Sequence, residues 1–236
     1  MKKFLRALAV AVCGVFLLAG AASAESTVQQ ILDNMTVSPI AGVSSVNVAT
    51  DTLLDGTDSY WGITATGGSV ATLVIEIAGL AGSNTFGVFN GINNVELFDG
   101  SATAGAQVTL SIDASGNVFV NHSPVGVNFA GRTFGYYLGT TGGTFYSDTS
   151  LNADMYDHMW ALQGKGDFVN MPSWGVGQWT DSEYVLAFED TYGGGDQDHN
   201  DMIVMVESVR PVPEPATMFL LGLGLLGIGI TKRRKS

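Results

Sequence analysis

The chain has 236 residues, 46% hydrophobic and 14% charged, with a formal net charge of −12 and one cysteine. The length and apolar content suffice for the core of one domain, and the acidic balance excludes nucleic acid and anionic lipid as favoured partners. One cysteine, Cys13, excludes an internal disulfide and a zinc–thiolate cluster.

Lys2, Lys3 and Arg6 precede an apolar stretch from Ala7 to Gly20, which ends in the small residues Ala22-Ser23-Ala24. This is the layout of a secretory signal peptide, so Sec export with cleavage after Ala24 is expected. Residues 1–24 are then the signal, 25–212 one exported domain and 213–236 a separate tail. Cys13 lies inside the apolar stretch rather than after it, so lipidation is not expected. It is lost with the signal, which leaves no thiol nucleophile. In the remaining domain Arg132, Lys165 and Arg210 are the only basic residues, against all of the 22 acidic residues except Glu214. Such an excess destabilises a compact state by self-repulsion, which makes divalent cations fitting partners.

Val28, Ile31, Leu32 and Met35 follow helical spacing, with Ser26 or Thr27 as N-cap and Gln29 or Gln30 three positions on. One short N-terminal helix is expected. The pattern then changes to short apolar or alternating runs: 71–77, 86–89, 95–98, 108–112, 118–120, 133–138, 184–188 and 202–209. They are bounded by Gly, Asn, Asp and Ser, as strands are. Some eight to ten strands define an all-β chain, most simply a β-sandwich, jelly-roll-like, with a closed barrel as the alternative. The 31 glycines have no fixed period, so collagen-like and short-solenoid readings fail.

Between Tyr146 and Trp179 the apolar rhythm weakens. A long loop with one short helix near Asp154 to Leu162 is expected there. Met155, Tyr156, Met159, Trp160, Trp174 and Trp179 are spread through it, and their more economical fate is to fold back as core rather than to stack on sugar rings.

Residues 189–201 read Glu-Asp-Thr-Tyr-Gly-Gly-Gly-Asp-Gln-Asp-His-Asn-Asp. The segment joins two apolar runs and is therefore the tip of a hairpin. Crowded carboxylates repel one another, and Gly193 to Gly195 permit backbone geometries that bring them closer still. A bound cation resolves both facts. Calcium takes six to eight oxygens, and the alternation Asp196-x-Asp198-x-Asn200 is suited to curl oxygens around one centre. The candidate ligands are Asp190, Asp196, Asp198, Asn200 and Asp201, with Glu189 in support. This is not an EF-hand loop, because Asp201 stands where the glycine should follow, no closing acid is present and the flanks read as strands.

The tail consists of Pro213-Glu214-Pro215, an apolar run from Ala216 to Ile230, and the basic cluster Lys232, Arg233, Arg234 and Lys235. As a helix the run would rise about 22 Å, short of the roughly 30 Å hydrocarbon core. It is a marginal transmembrane helix whose cations stay on the cytoplasmic side.

In order and spacing the tail resembles the PEP-CTERM sorting signal. That resemblance implies a Gram-negative, exopolysaccharide-producing bacterium and processing near Pro213, Glu214 and Pro215 by an exosortase, with the protein at the cell surface or in the extracellular matrix of a biofilm. The segment Phe188-Glu189-Asp190, the glycines with Asp196 and Asp198, and Asn200-Asp201 before an apolar run resemble the signature of domain-of-unknown-function family 4114. Residues 85–89 and 95–100 resemble such domains too, so the likeness extends over about residues 60–209. His199 stands where that family usually has Tyr, which keeps an aromatic ring and leaves the oxygens untouched. The resemblance implies a β-rich exported module with a Ca²⁺ loop and no established enzymatic activity.

No catalytic residue is expected. His122, His158 and His199 are far apart, and neither H-E-x-x-H nor G-x-S-x-G occurs. The sequence reading is a non-catalytic, Ca²⁺-stapled surface or matrix protein associated with exopolysaccharide. A lectin-like protein using the 146–179 aromatics is the alternative, followed by a polysaccharide-active hydrolase with paired carboxylates.

Overall fold

A computed structural model describes residues 26–76 and 82–212. The signal-peptide residues Ala22 and Ala24 and the tail residues Pro213, Glu214 and Pro215 lie outside the described residues. In chain order the elements are helix α1 (Val28–Met35), β1 (Thr36–Ser38), the short helix α2 (Val48–Asp51), β2 (Trp61–Ile63), β3 (Ser69–Glu76), β4 (Thr85–Asn90) and β5 (Asn93–Phe98). There follow β6 (Gln107–Ile112), β7 (Asn117–Val120), β8 (Ser123–Asn128), β9 (Thr133–Thr140), β10 (Gly143–Tyr146) and β11 (Met159–Gln163). The last are β12 (Phe168–Met171), β13 (Gly175–Gln178), β14 (Glu183–Phe188), β15 (Met202–Glu207) and β16 (Val209–Pro211).

Two antiparallel sheets form a sandwich. One has the order β11-β14-β15-β3-β6-β7-β8; the other runs β16-β2-β9-β4-β5, with β10 paired to β9. The chain crosses repeatedly between them, as in jelly rolls: β2 in one sheet, β3 in the other, β4 and β5 back again, then β6 to β8 across. Between the sheets lies an aromatic core in which Trp61, Phe86, Phe134, Tyr136, Tyr184 and Phe188 are buried. Trp61 meets Tyr184 edge-on at 4.8 Å between ring centroids, and Phe86 stacks on Tyr136 at 5.6 Å, geometries that add to plain area burial.

Strands β14 and β15 are apolar on both faces, and the packing explains why. Tyr184, Leu186 and Phe188 point into the sandwich, whereas Val185 and Ala187 point out to a second cluster with Ile203, Met205, Leu162 and Trp179. Helix α1 closes that outer face with Val28, Ile31, Leu32 and Met35. A continuous apolar run is the signature of a strand covered on both sides. The helix starts where the capping pattern places it: Thr27 Oγ1 accepts from Gln30 N at 3.3 Å, and Gln30 Oε1 accepts from Thr27 N at 3.1 Å.

Four expectations are corrected. The described residues hold 16 strands rather than eight to ten, because many are only three or four residues long. Residues 154–162 form no helix: β11 pairs with β14 from Met159 opposite Phe188 to Gln163 opposite Tyr184, with Met159 and Ala161 in the sandwich core and Leu162 in the outer cluster. Nor is 146–179 one long loop, since β12 pairs with both β13 and β1 in a small third sheet. The run 202–209 is moreover two strands. Ser208, at φ 58°, turns the chain from β15 into β16, which joins the opposite sheet beside β2.

Gly164 follows β11 where the chain passes Trp179 and Thr180. A Cβ there would run into the carbonyl oxygens of both residues, and these are backbone atoms that cannot rotate away. Gly164→Ala should destabilise the fold by about 1–3 kcal/mol, seen as a lower denaturant midpoint at unchanged slope; an unaltered midpoint would show that this approach can relax.

Candidate metal centre

The acidic segment is the connection of the β14–β15 hairpin. The strand register ends with Phe188 opposite Met202, so Glu189 and Asp201 begin the loop side by side. Asp201 N donates to Phe188 O at 3.1 Å, and Asp190 N donates to Asp201 Oδ2 at 2.8 Å. Three glycines then let the loop fold back over its own base. Gly193, Gly194 and Gly195 all have positive φ, of 76°, 80° and 42°. A Cβ at Gly194 would strike the Tyr156 ring, and one at Gly195 would strike Glu189 Oε1. Glycine is required here for conformation and for space.

Two carboxylate triads result, and they share Glu189. Ligand oxygens of Glu189, Asp196 and Asp198 lie within 4.8 Å of one another, as do those of Glu189, Asp190 and Asp201. Glu189 is 1% exposed and Asn200 is fully buried. Asn200 Nδ2 donates to Ser26 O at 3.1 Å and to Asp198 Oδ2 at 2.5 Å. Its Oδ1 and Glu189 Oε2 are buried without a hydrogen-bond partner. Buried unpaired oxygens of this kind are rare in native proteins and costly. All six sequence candidates are thus gathered at one place.

A seventh residue was not legible in the sequence. Asn84, fully buried just ahead of β4, donates through Nδ2 to Asp190 Oδ2 at 3.0 Å. Its Oδ1 is likewise buried and unpartnered. The loop is therefore closed from the opposite sheet as well as from its own hairpin.

Electrostatics follow from this crowding. Burial, joined by the charges of Asp201, Asp196, Asp198 and Asp190, pushes the Glu189 carboxyl up to about 8. Burial also raises Asp201 to about 6, against the favourable N–H of Asp190, and raises Asp198. No described lysine or arginine relieves them, since the one ion pair of such a residue among the described residues is Lys165–Asp51. An all-oxygen, strongly anionic pocket with unpaired buried oxygens fits a hard cation of the Ca²⁺ type.

The histidines are distant in sequence, yet two of them lie beneath this loop, each against Tyr156. His158 Nδ1 donates to Glu189 O at 3.0 Å, and its Nε2 lies 3.0 Å from Asp154 Oδ2. Asp154 also accepts from Gly193 N at 2.7 Å; although burial opposes it, these bonds hold its carboxyl down to about 2. His199 lies flat on Trp160 at 3.9 Å and donates from Nε2 to Asp157 O at 2.9 Å. Burial lowers its ring to about 4. Tyr156 packs edge-on against His158 and stacks against His199. His122 sits apart, exposed in the turn between β7 and β8. Of the other aromatics in 146–179, Trp179 is buried and Trp174 is 59% exposed.

Fold and loop together define an antiparallel β-sandwich module with an acidic hairpin loop. Residues 102–209 match the domain of unknown function (DUF4114), from just ahead of β6 into β16. Residues 211–235 match the PEP-CTERM protein-sorting motif. The chain is accordingly an exported protein, anchored and then processed by an exosortase. No curated protein and no solved structure matches it significantly. No helix among the described residues is long and apolar enough to cross a membrane.

Proposed function

We propose that the protein is a non-catalytic surface or matrix module of a Gram-negative bacterium, delivered by the sorting tail, held rigid by Ca²⁺ and associated with exopolysaccharide or biofilm. The observation that carries the calcium part is the pair of buried, unpartnered oxygens, Glu189 Oε2 and Asn200 Oδ1, among uncompensated carboxylates. A metal in this place joins the ends of two core strands. Bound, it would supply charge neutralisation and crosslinking; Glu189, Asp190, Asp196, Asp198, Asn200 and Asp201 would hold it. His158 and Asp154 fix the loop from below by bonding Glu189 O and Gly193 N, a structural task that explains both residues without chemistry on a substrate. The lectin-like reading draws less support, because Trp174 is the one strongly exposed tryptophan among the described residues.

Fractionation of the producing organism tests the sorting and matrix parts together. The expected result is enrichment in the polysaccharide-bearing matrix and an intact mass that lacks the segment after Pro215. A species ending at Ser236 in cells with an active exosortase overturns sorting, and confinement to the periplasm overturns matrix association.

A further inference from the structure

The two carboxylate triads of the hairpin loop have Glu189 in common and are otherwise separate. Glu189, Asp196 and Asp198 offer oxygens within 4.8 Å of one another, and so do Glu189, Asp190 and Asp201, but the five residues do not form one such group. Oxygens on a single Ca²⁺ sit about 2.3–2.6 Å from it and therefore at most about 5 Å apart. Each triad by itself meets that limit. Each also has its own fully buried asparagine, and the two arrangements match. Asn200 Nδ2 donates to Asp198 Oδ2 at 2.5 Å, Asn84 Nδ2 donates to Asp190 Oδ2 at 3.0 Å, and the Oδ1 of both amides is buried without a partner. An ion on the Asp196 and Asp198 side answers Asn200 and leaves Asn84 Oδ1 as it was, in a place where an unpaired oxygen is costly.

We propose, on the footing that this loop binds calcium at all, that it holds two cations of the Ca²⁺ class bridged by Glu189: one on Asp196, Asp198 and Asn200, the other on Asp190, Asp201 and Asn84. Charge favours the division. The five carboxylates carry five negative charges when ionised, and no described lysine or arginine pairs with them. One divalent ion leaves three of those charges, two ions leave one, and uncompensated buried charge is strongly unfavourable. Asp201 uses Oδ2 to accept from Asp190 N and keeps Oδ1 for an ion. The second ion also does something the first does not. Asn84 immediately precedes β4 in the sheet β16-β2-β9-β4-β5, whereas Glu189 follows β14 and Asp201 precedes β15 in the opposite sheet. A cation on Asp190, Asp201 and Asn84 therefore ties the two sheets together. Asn84 lies ahead of the matched residues 102–209, so its oxygen is supplied from outside the segment that carries every other ligand.

Calorimetric titration of the chelator-stripped exported protein with Ca²⁺, over a Mg²⁺ background that saturates the acidic surface, provides the test. The wild type should take up two equivalents. Asn84→Leu, which removes the amide at similar volume, should weaken one equivalent about tenfold or more and leave the other. Asp196→Asn with Asp198→Asn should weaken the equivalent that Asn84→Leu leaves, and all three changes together should weaken both. A wild type with one equivalent, lost in the Asp196 and Asp198 variant and untouched by Asn84→Leu, overturns the second ion while the loop stands as a calcium site. One equivalent weakened by both sets of changes means a single shared ion and overturns it too, as do two equivalents that Asn84→Leu leaves unchanged. A wild type that takes up none overturns the calcium reading itself. If Asn84→Leu fails to fold, Asp201→Asn serves instead, because it keeps an acceptor for Asp190 N while removing one ligand charge. It should weaken one equivalent about tenfold, and unchanged binding of both overturns the second ion.

Discussion

Calcium should raise the thermal midpoint of the chelator-stripped protein by about 5–10 °C at a hundredfold excess over Kd. Selective binding to the native state contributes about 2.7 kcal/mol per site under that condition, and about 2–4 °C follows from each kcal/mol in a chain of this size. Mg²⁺ should do much less, because it demands tight octahedral geometry and keeps its waters. Replacing Asp196 and Asp198 with Asn preserves volume while removing two of the charges that crowd Glu189. The metal-free variant should therefore be as stable as the metal-free wild type or more so, and should lose the larger part of the calcium shift. Those two changes in opposite directions distinguish a metal site from a merely solvated turn, where Ca²⁺ does nothing and the substitutions only relieve repulsion. An undiminished calcium response in the variant would refute the loop as a site.

The parts of this molecule that were legible in the sequence are those whose cause is local. Helix α1 is announced by Thr27, Gln30 and the spacing of its apolar face, and all three recur in the structure. The hairpin loop is announced by acids beside glycines within one short segment, and β14 and β15 by runs long enough to be covered on both faces. What escaped depends on contacts distant in the chain. Asn84 reaches Asp190 across 106 positions, and no pattern around either residue records that meeting. The strands β12 and β13 are four residues each, and β13 is exposed throughout, so neither carries an apolar alternation to read. The short helix expected over 154–162 is absent because Met159 to Leu162 belong to a strand paired with β14, while Tyr156 serves as a wall between His158 and His199. The break at Ser208 is invisible for another reason: the apolar pattern continues through it while the backbone changes sheets.

Metal-free protein should lose stability as the pH rises from about 5 to 8, and calcium should remove that loss. Glu189 is raised to about 8 from 4.5 and Asp201 to about 6 from 3.8, burial being the first cause in each. A carboxyl whose folded pKa lies above its unfolded value binds its proton more tightly in the native state. Its contribution is therefore complete below the unfolded value, and it fades as the pH passes first about 6 and then about 8. Calcium acts on the same oxygens with the opposite sign, since it needs them deprotonated and displaces the proton on binding. The melting temperatures with calcium and with chelator should accordingly lie close together near pH 5 and separate steadily toward pH 8. Glu189→Gln removes the charge of the most strongly shifted group of the loop, the residue shared by both triads. It should flatten the chelator curve and abolish the loop's share of the calcium shift at every pH. Two wild-type curves that run parallel from pH 5 to 8 would mean that these carboxyls are not competing for a cation, and a chelator curve that rises with pH would mean that their native protons are not tightly held.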